Sequence, residues 1–326
     1  MDAVLVLLAL GFAWSMGAHY TGACMGMPRA LGAIGTGAAL VVMAPLAWLG
    51  ATLASHAVEH TVAHGLTTST LGTGAEVLVL AVAFGLTTAY NRLRIPTSTI
   101  QILVSSVAGT ALGAGVGVRW ASIGELATVW VLAPVVAAGV GFTLTRSLDR
   151  AAAWRHRGHL AAGDRAAPFR WLGPGLVGVG AAASFTMGSN DVANATGSLV
   201  AAHLFSPRVA GAVGGAGLAL GVLTAGRPLL HRVAFDIVHL DRSMATAAQA
   251  VQASVVLLAA SLGFFTSMNQ ALVGAMAGAG LARGVHTVER KTLVGILRGW
   301  VLGPAAGLAA GFVVARLAAL AGVHLA

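Results

Sequence analysis

Charge is what this sequence has least of. Only 9% of its 326 residues are Asp, Glu, Lys or Arg, against about 25% in a soluble domain. With 57% hydrophobic residues and a mean hydropathy of +0.84, there is too little polar surface to cover a water-facing globule. A soluble fold is excluded and a multi-spanning membrane protein is expected. The single cysteine, Cys24, excludes an internal disulfide. Aromatic residues are sparse at 6%, while glycine numbers 44. Small side chains let helices approach closely, as they do at packed membrane-helix interfaces. The stretch MDAVLVLLALGFAWSMG has no basic n-region, and Asp2 is acidic. It reads as a first membrane helix and not as a cleaved signal peptide.

The net charge of +9 invites a nucleic-acid partner, but the charges sit in short loops between apolar segments. That is the distribution of topology signals, not of a basic binding face, so no nucleic acid is expected. The apolar segments are 3–27, 30–53, 70–91, 96–118, 127–146, 172–202, 208–226, 243–262, 265–282 and 293–322, about ten by the twenty-residue criterion. Broken or re-entrant helices would change that count. The longest polar connection, Arg146 to Arg170, holds six arginines and should be cytoplasmic. Counting outward from it puts Arg29, Arg92, Arg94 and the loops Arg227–Arg242 and Arg283–Lys291 inside. The segment SHAVEHTVAHGL and the N-terminus fall outside. Arg119 and Arg208 are isolated exceptions.

The two halves repeat. WVLAPVVAAGVGF at Trp130 matches WVLGPAAGLAAGF at Trp300, 170 residues on. PTSTIQILVSSVAGTALG at Pro96 matches FTSMNQALVGAMAGAGLA at Phe265, 169 on. GAHYTGACMG at Gly17 matches GSNDVANATG at Gly188, 171 on. PRALGAIGTGAAL at Pro28 matches PRVAGAVGGAGLAL at Pro207, 179 on. The expected units are a first transmembrane repeat over 1–145, a cytoplasmic basic linker over 146–170 and a second repeat over 171–326. About five spans per half is an odd number, so the halves enter the membrane from opposite sides. The expected fold is an all-α integral membrane protein of two inverted-topology repeats, with broken or re-entrant helices. Such repeats commonly hold a site near the midplane, marked by polar or Gly/Pro-interrupted segments at matching positions.

Two segments per half fit. Asp191 is the only charged side chain between Arg170 and Arg208, and a carboxylate at the bilayer centre costs about 2.5–3.5 kcal/mol on the insertion scale. It needs a partner or a function. Asn190 and Asn194, four apart, share a helix face with it nearby. Carboxylate and amide oxygens bind a hard cation; amide and backbone N–H groups bind an anion. Capping or packing is the bland alternative for this cluster. The second pair is PTSTIQ and FTSMNQ. Thr97, Ser98 and Thr99 follow Pro96 at a helix start, Thr266 and Ser267 repeat them, and Gln101 and Gln270 lie one turn on. Hydroxyls beside a helix N-terminus make an anion-binding arrangement, with ordinary Ser/Thr capping as the alternative. A third pattern, HAVEH at His56–His60 with His64 beyond it, has the spacing of a zinc-protease motif. It lies in a short loop without further acidic ligands and reads as an interfacial helix. Trp154, Arg155, His156 and Arg157 read as a solvated loop meeting lipid headgroups.

The motif GSNDVANATG resembles the signature of the PiT inorganic phosphate transporters, roughly G-A-N-D-V-A-N-A, and PTSTIQ resembles that family's P-[VT]-S-[ST]-[ST]-H element. The resemblance runs through both repeats. It implies an inverted-repeat transporter that moves phosphate with sodium or protons. By motif position it carries binding roles onto Asn190, Asp191 and Asn194 and onto Thr97, Ser98, Thr99, Thr266 and Ser267. The sequence also departs from the family. His19-Tyr20 stands where the first half should have Asn-Asp, Ala23 replaces its second Asn, Gln101 and Gln270 replace histidines, and Phe265 replaces a proline. GAHYTGACMG is closer to the sulfate-permease branch, whose first motif also lacks the acidic pair.

The expected function is secondary transport of a tetrahedral inorganic oxyanion across the cytoplasmic membrane by symport, phosphate first and sulfate a close second. An anion channel and a membrane zinc protease are the alternatives of another class. Substrate groups are expected from Thr97, Ser98, Thr99, Gln101, Asn190, Asn194, Thr266, Ser267 and Gln270. The coupling ion, H+ or Na+, is expected at Asp191, Asn190, Asn194 and His19, with any sodium at Asp191. No enzyme activity and no cofactor are expected. The partners are the anion and the lipid bilayer, and a homodimer is allowed for.

Overall fold

The computed structural model describes residues 1–93, 97–155, 172–230, 241–284 and 290–325. Pro96, His156 and Arg157, Arg94, and most of the 146–170 and 227–242 loops lie outside the described residues. The helices are α1 (Asp2–His19), α2 (Met27–Ala30), α3 (Thr36–Ala54), α4 (His56–His64), α5 (Thr73–Leu93), α6 (Thr99–Gly113) and α7 (Trp120–Arg155) in the first half. The second half has α8 (Leu172–Asp191), α9 (Ala193–Ala201), α10 (Pro207–Ala225), α11 (Arg227–Leu230), α12 (Arg242–Ser261), α13 (Met268–Arg283) and α14 (Arg290–Leu320).

Polarity is distributed inside out. Leu7, Val41, Val131, Leu258 and Val301 are exposed on the outer faces, while Glu59, Glu76, Asn190, Asp191, Gln249 and Gln252 are buried. Lipid solvates the first set at no cost, and the polar groups turn inward to find partners. Seven helices among the described residues are long and apolar enough to cross a membrane, fewer than the ten segments counted from composition. The segments 96–118 and 265–282 account for part of the difference. Their helical parts, α6 and α13, have 15 and 16 residues. At 1.5 Å per residue that is about 23 Å, short of a hydrocarbon core of about 30 Å. The 172–202 segment is broken at Val192 into α8 and α9. The 3–27 segment continues α1 through a π-helical turn, Gly22–Gly26. In the other direction, α7 runs past Arg146 to Arg155, into the basic linker expected from 146.

Glycine contacts reveal the repeat in three dimensions. A Cβ on Gly17 would lie 2.0 Å from the Leu218 carbonyl oxygen, and one on Gly188 1.9 Å from that of Ala47. Gly50 meets the Phe185 oxygen at 1.9 Å, and Gly221 meets that of Trp14 at 1.9 Å. Gly109 meets the Leu308 oxygen at 2.1 Å, and Gly278 that of Ala138 at 1.9 Å. Each glycine and each contacted residue has its counterpart 169–171 positions away. Thus α1 packs on α10 as α8 packs on α3, and α6 packs on α14 as α13 packs on α7. Every one of these crossings joins the two halves. Only glycine allows backbones this close. The same register pairs the start of α3, Thr36, with the start of α10, Pro207. The match of Pro28 with Pro207 at 179 is therefore out of register: Pro28 lies in α2.

The loops gather at two ends. At one end Arg29 Nε donates to Thr36, Arg242 reaches the Leu31 carbonyl, and Arg283 pairs with Asp149 at 2.8 Å and Asp241 at 2.7 Å. At the other, Arg119 Nε donates to the Thr67 carbonyl, Thr68 N–H to Gly117, and Gly72 N–H to Leu325. The start of α1 lies by Gly74 at this second end, and Gly180 of α8 lies beside Cys24 and Pro28 toward the first. Corresponding helices α1 and α8 thus run in opposite directions, so the repeats are inverted.

Candidate functional site

One motif pair interrupts helices, the other starts them, and the four segments meet. Helix α8 stops at Asp191 and α9 resumes at Ala193, with a turn at Val192 whose carbonyl accepts from the Ala195 and Thr196 N–H groups. The matching position in α1 is Tyr20, after which the π-helical turn begins. Single π turns inside helices recur at functional sites, because they free carbonyl groups. Here the Ala23 carbonyl is met by Gln249 Nε2 at 3.1 Å, and the Cys24 carbonyl by the same amide group.

Ser98 and Ser267 are the N-caps of α6 and α13. Ser98 Oγ accepts from the Gln101 N–H at 3.4 Å and Ser267 Oγ from the Gln270 N–H at 3.3 Å. The capping alternative therefore holds for both serines, but an accepting hydroxyl keeps its own hydrogen to donate. Each half's first motif is fastened to its second. In the first half the Tyr20 hydroxyl is 2.7 Å from Thr99 Oγ1. In the second, Asn190 Nδ2 donates to the Thr266 carbonyl at 2.8 Å and its Oδ1 accepts from the Thr266 N–H at 3.2 Å. The Asn190 amide is thus committed to backbone. Across the halves, Asn269 Nδ2 lies 3.3 Å from His19 Nε2.

What remains is a set of buried polar atoms without hydrogen-bond partners among the described residues. Both Asp191 carboxylate oxygens, Asn194 Oδ1, Thr266 Oγ1, Gln101 Oε1 and Gln270 Oε1 belong to it. Gln252 Oε1 and Nε2 and Gln249 Oε1 join them from α12. Among the described residues Asn194 Nδ2 contacts the Met16 sulfur, at 3.7 Å. Buried polar groups in native proteins are paired with few exceptions, so a concentration of unpaired ones at two helix breaks marks where a ligand or an ion completes them. Tyr20 and Cys24 lie within electrostatic reach of Asp191. The site's described donors are hydroxyl, amide and backbone groups: Thr97, Ser98, Thr99, Thr266 and Ser267 are all buried. Among the described residues no three His, Cys, Asp or Glu side chains converge as a metal cluster. In HAVEH, Glu59 is turned to Thr196, whose Oγ1 donates to it at 2.7 Å.

Sequence reading missed Gln249, Gln252 and Asn269. Gln249 and Gln252 are the two glutamines of the apolar segment 243–262, which was the available signal.

The family model described as Phosphate transporter family matches residues 16–172 and again 160–310. The sulfate permease CysP of Bacillus subtilis is 27% identical over 97% of this chain and 88% of its own length. The chloroplastic inorganic phosphate transporter 2-1 of Arabidopsis thaliana is 25% identical over 90% of this chain and 68% of its own. A solved structure, "The sodium-dependent phosphate transporter", superposes with a TM-score of 0.87 at 22% identity, covering 98% of this chain and 99% of that one.

Proposed function

This chain belongs to the phosphate transporter family, and from that premise we propose that it is a secondary transporter, a symporter, of a tetrahedral inorganic oxyanion, phosphate first. The observation that carries the reading is the cluster of unpaired buried polar atoms where the four segments meet. In this reading the anion is held by neutral donors: the hydroxyls of Thr97, Ser98, Thr99, Thr266 and Ser267, the amides of Gln101, Gln270 and Asn194, and the N-terminal ends of α6 and α13. Asn190 holds Thr266 in place. Alternating access rocks one repeat against the other. The glycine crossings that join the halves are the contacts over which such rocking takes place.

Asp191 is the coupling site. We assign it protons before sodium. Sodium needs several convergent oxygens, and Tyr20 and Ala23 stand at the first-half positions that match Asp191 and Asn194. A proton needs one basic group, and His19 lies beside Asn269 in the same region. Sulfate is the second reading, favoured by the similarity to a sulfate permease. The coupling is tested in proteoliposomes by uptake under a sodium gradient at fixed pH, then under a proton gradient in sodium-free buffer. Stimulation by the proton gradient is expected. Stimulation by sodium alone would overturn the assignment.

A further inference from the structure

Glu59 has no role in that scheme, yet it is fully buried on α4. It makes no ion pair among the described residues. Among the described residues its Oε2 has no hydrogen-bond partner, and its Oε1 accepts from the Thr196 hydroxyl at 2.7 Å. That hydroxyl also lies 3.0 Å from the Val192 carbonyl oxygen. Two acceptors face one hydrogen, since a threonine hydroxyl donates once and accepts as well.

The charge on Glu59 decides the contest. As a carboxylate, Glu59 is the stronger acceptor and takes the Thr196 hydrogen; the Val192 carbonyl then loses that side-chain bond and keeps the ones from the Ala195 and Thr196 N–H groups. As a carboxylic acid, Glu59 donates its own hydrogen to Thr196 Oγ1, and Thr196 donates to Val192. The hydrogen bonds from Glu59 through Thr196 to Val192 then all run in one direction. Val192 is the break between α8 and α9 and the neighbour of Asp191. We propose that Glu59 is a proton-binding site whose occupancy passes through Thr196 to the backbone break beside Asp191.

The surroundings isolate this carboxyl. The elements packed on α4 are chiefly α9, α10 and α12. Helix α9 carries no titratable side chain, α10 carries Arg208, and α12 carries Arg242 at the end away from α4. Thr61 of α4 bonds the Gly263 carbonyl, just past the other end of α12. On α4 itself are His56, His60 and His64, and the His64 ring centroid lies 6.5 Å from that of His203. Burial pushes the Glu59 carboxyl up to about 7, against the hydrogen bond from Thr196 that lowers it.

The proposal concerns proton occupancy. Its transport readout rests on the oxyanion reading above, and its spectroscopic readout does not. Infrared difference spectra of the purified protein, titrated through neutral pH, are expected to contain a protonated-carboxyl C=O band. The Glu59 component of that band should be missing in Glu59→Gln and displaced in Thr196→Val, while the components of the buried Glu76 and Asp191 carboxyls persist. Counterflow of labelled phosphate, at equal pH on both sides of the proteoliposome membrane, reads the consequence. Wild-type rate should change severalfold across neutral pH, and Glu59→Gln and Thr196→Val should flatten the profile. His60→Gln and His64→Gln should leave it sloped, which separates histidine titration from Glu59. An infrared spectrum unchanged in Glu59→Gln, or an unchanged pH profile in both Glu59→Gln and Thr196→Val, would overturn the proposal. If Glu59→Gln fails to assemble, Thr196→Val alone decides by its band position and profile. If the wild type shows no counterflow of phosphate or sulfate, the transport reading fails and the infrared titration still decides Glu59.

Discussion

Replacing Asn190 by Ala separates its two assigned tasks, ligand and clamp. The side chain makes two hydrogen bonds to one residue, at 2.8 and 3.2 Å, and both Asn190 and Thr266 are fully buried. Truncation leaves the Thr266 N–H and C=O unpaired, at about 1–3 kcal/mol each. Two such groups give about 2–6 kcal/mol, and water entering the vacated space would bring the cost toward the lower end. The expected loss is about 3 kcal/mol. Because Thr266 is the first hydroxyl of the second-half motif and precedes the Ser267 cap, its displacement should also weaken anion binding. Thermal unfolding in detergent and the KM of phosphate uptake, measured on the same preparation, are the assays. A direct ligand with no clamping role would raise KM and leave the unfolding midpoint in place. A midpoint and a KM both equal to wild type would refute the reasoning. Asn190→Asp is the finer probe: it can still accept from Thr266 N–H but cannot donate to the carbonyl, so part of the stability loss should persist.

Asp191→Asn should abolish gradient-driven uptake while leaving expression equal, because it removes the only carboxylate in α8 and α9; near-normal driven uptake would contradict this. Gly188→Ala should prevent stable assembly, since its Cβ would lie 1.9 Å from a backbone oxygen of α3 and overpacking against backbone costs at least the usual 1–3 kcal/mol or so; size-exclusion profiles and thermal midpoints read this directly. In a Cys24→Ser background, a cysteine at position 160 should resist an impermeant reagent in intact cells, following the arginine placement; labelling would reverse the topology. Glu59 sets a pH dependence of stability. Its folded value of about 7 lies above the ordinary 4.5, so its stabilising contribution is complete below about pH 4.5 and is lost as pH rises through 7, on the order of 3 kcal/mol. Thermal midpoints between pH 5 and 8 or so should fall less steeply in Glu59→Gln.

Asp191 was legible because one carboxylate among apolar residues has few bland explanations. The inverted halves were legible because three matched segments share one register. The Pro28 match shows the limit of such matching, for in Gly/Ala-rich helices a partial identity survives a shift of eight positions. Where each apolar segment becomes helical was not legible, because composition does not show where a helix starts: 96–118 is apolar nearly throughout, but α6 begins only at Thr99. The Asn190 clamp was invisible, since its partner is backbone 76 residues away. Glu59 was hidden by its neighbours. Its histidines four apart suggested a metal motif, whereas its actual partner, Thr196, comes from the other repeat. Gln249 and Gln252 carried a weak signal, two amides in an apolar helix, whose meaning depended on α12 facing α8 and α13.

We propose that the site moves a tetrahedral oxyanion coupled to an ion gradient. Uptake of labelled phosphate and labelled sulfate into proteoliposomes of the purified protein, each competed by the other and run with and without an imposed proton gradient, tests it most directly. Gradient-stimulated accumulation above equilibrium is expected, with phosphate preferred and sulfate competing. Flux of either anion that only equilibrates, indifferent to every gradient, or accumulation of neither, would contradict it.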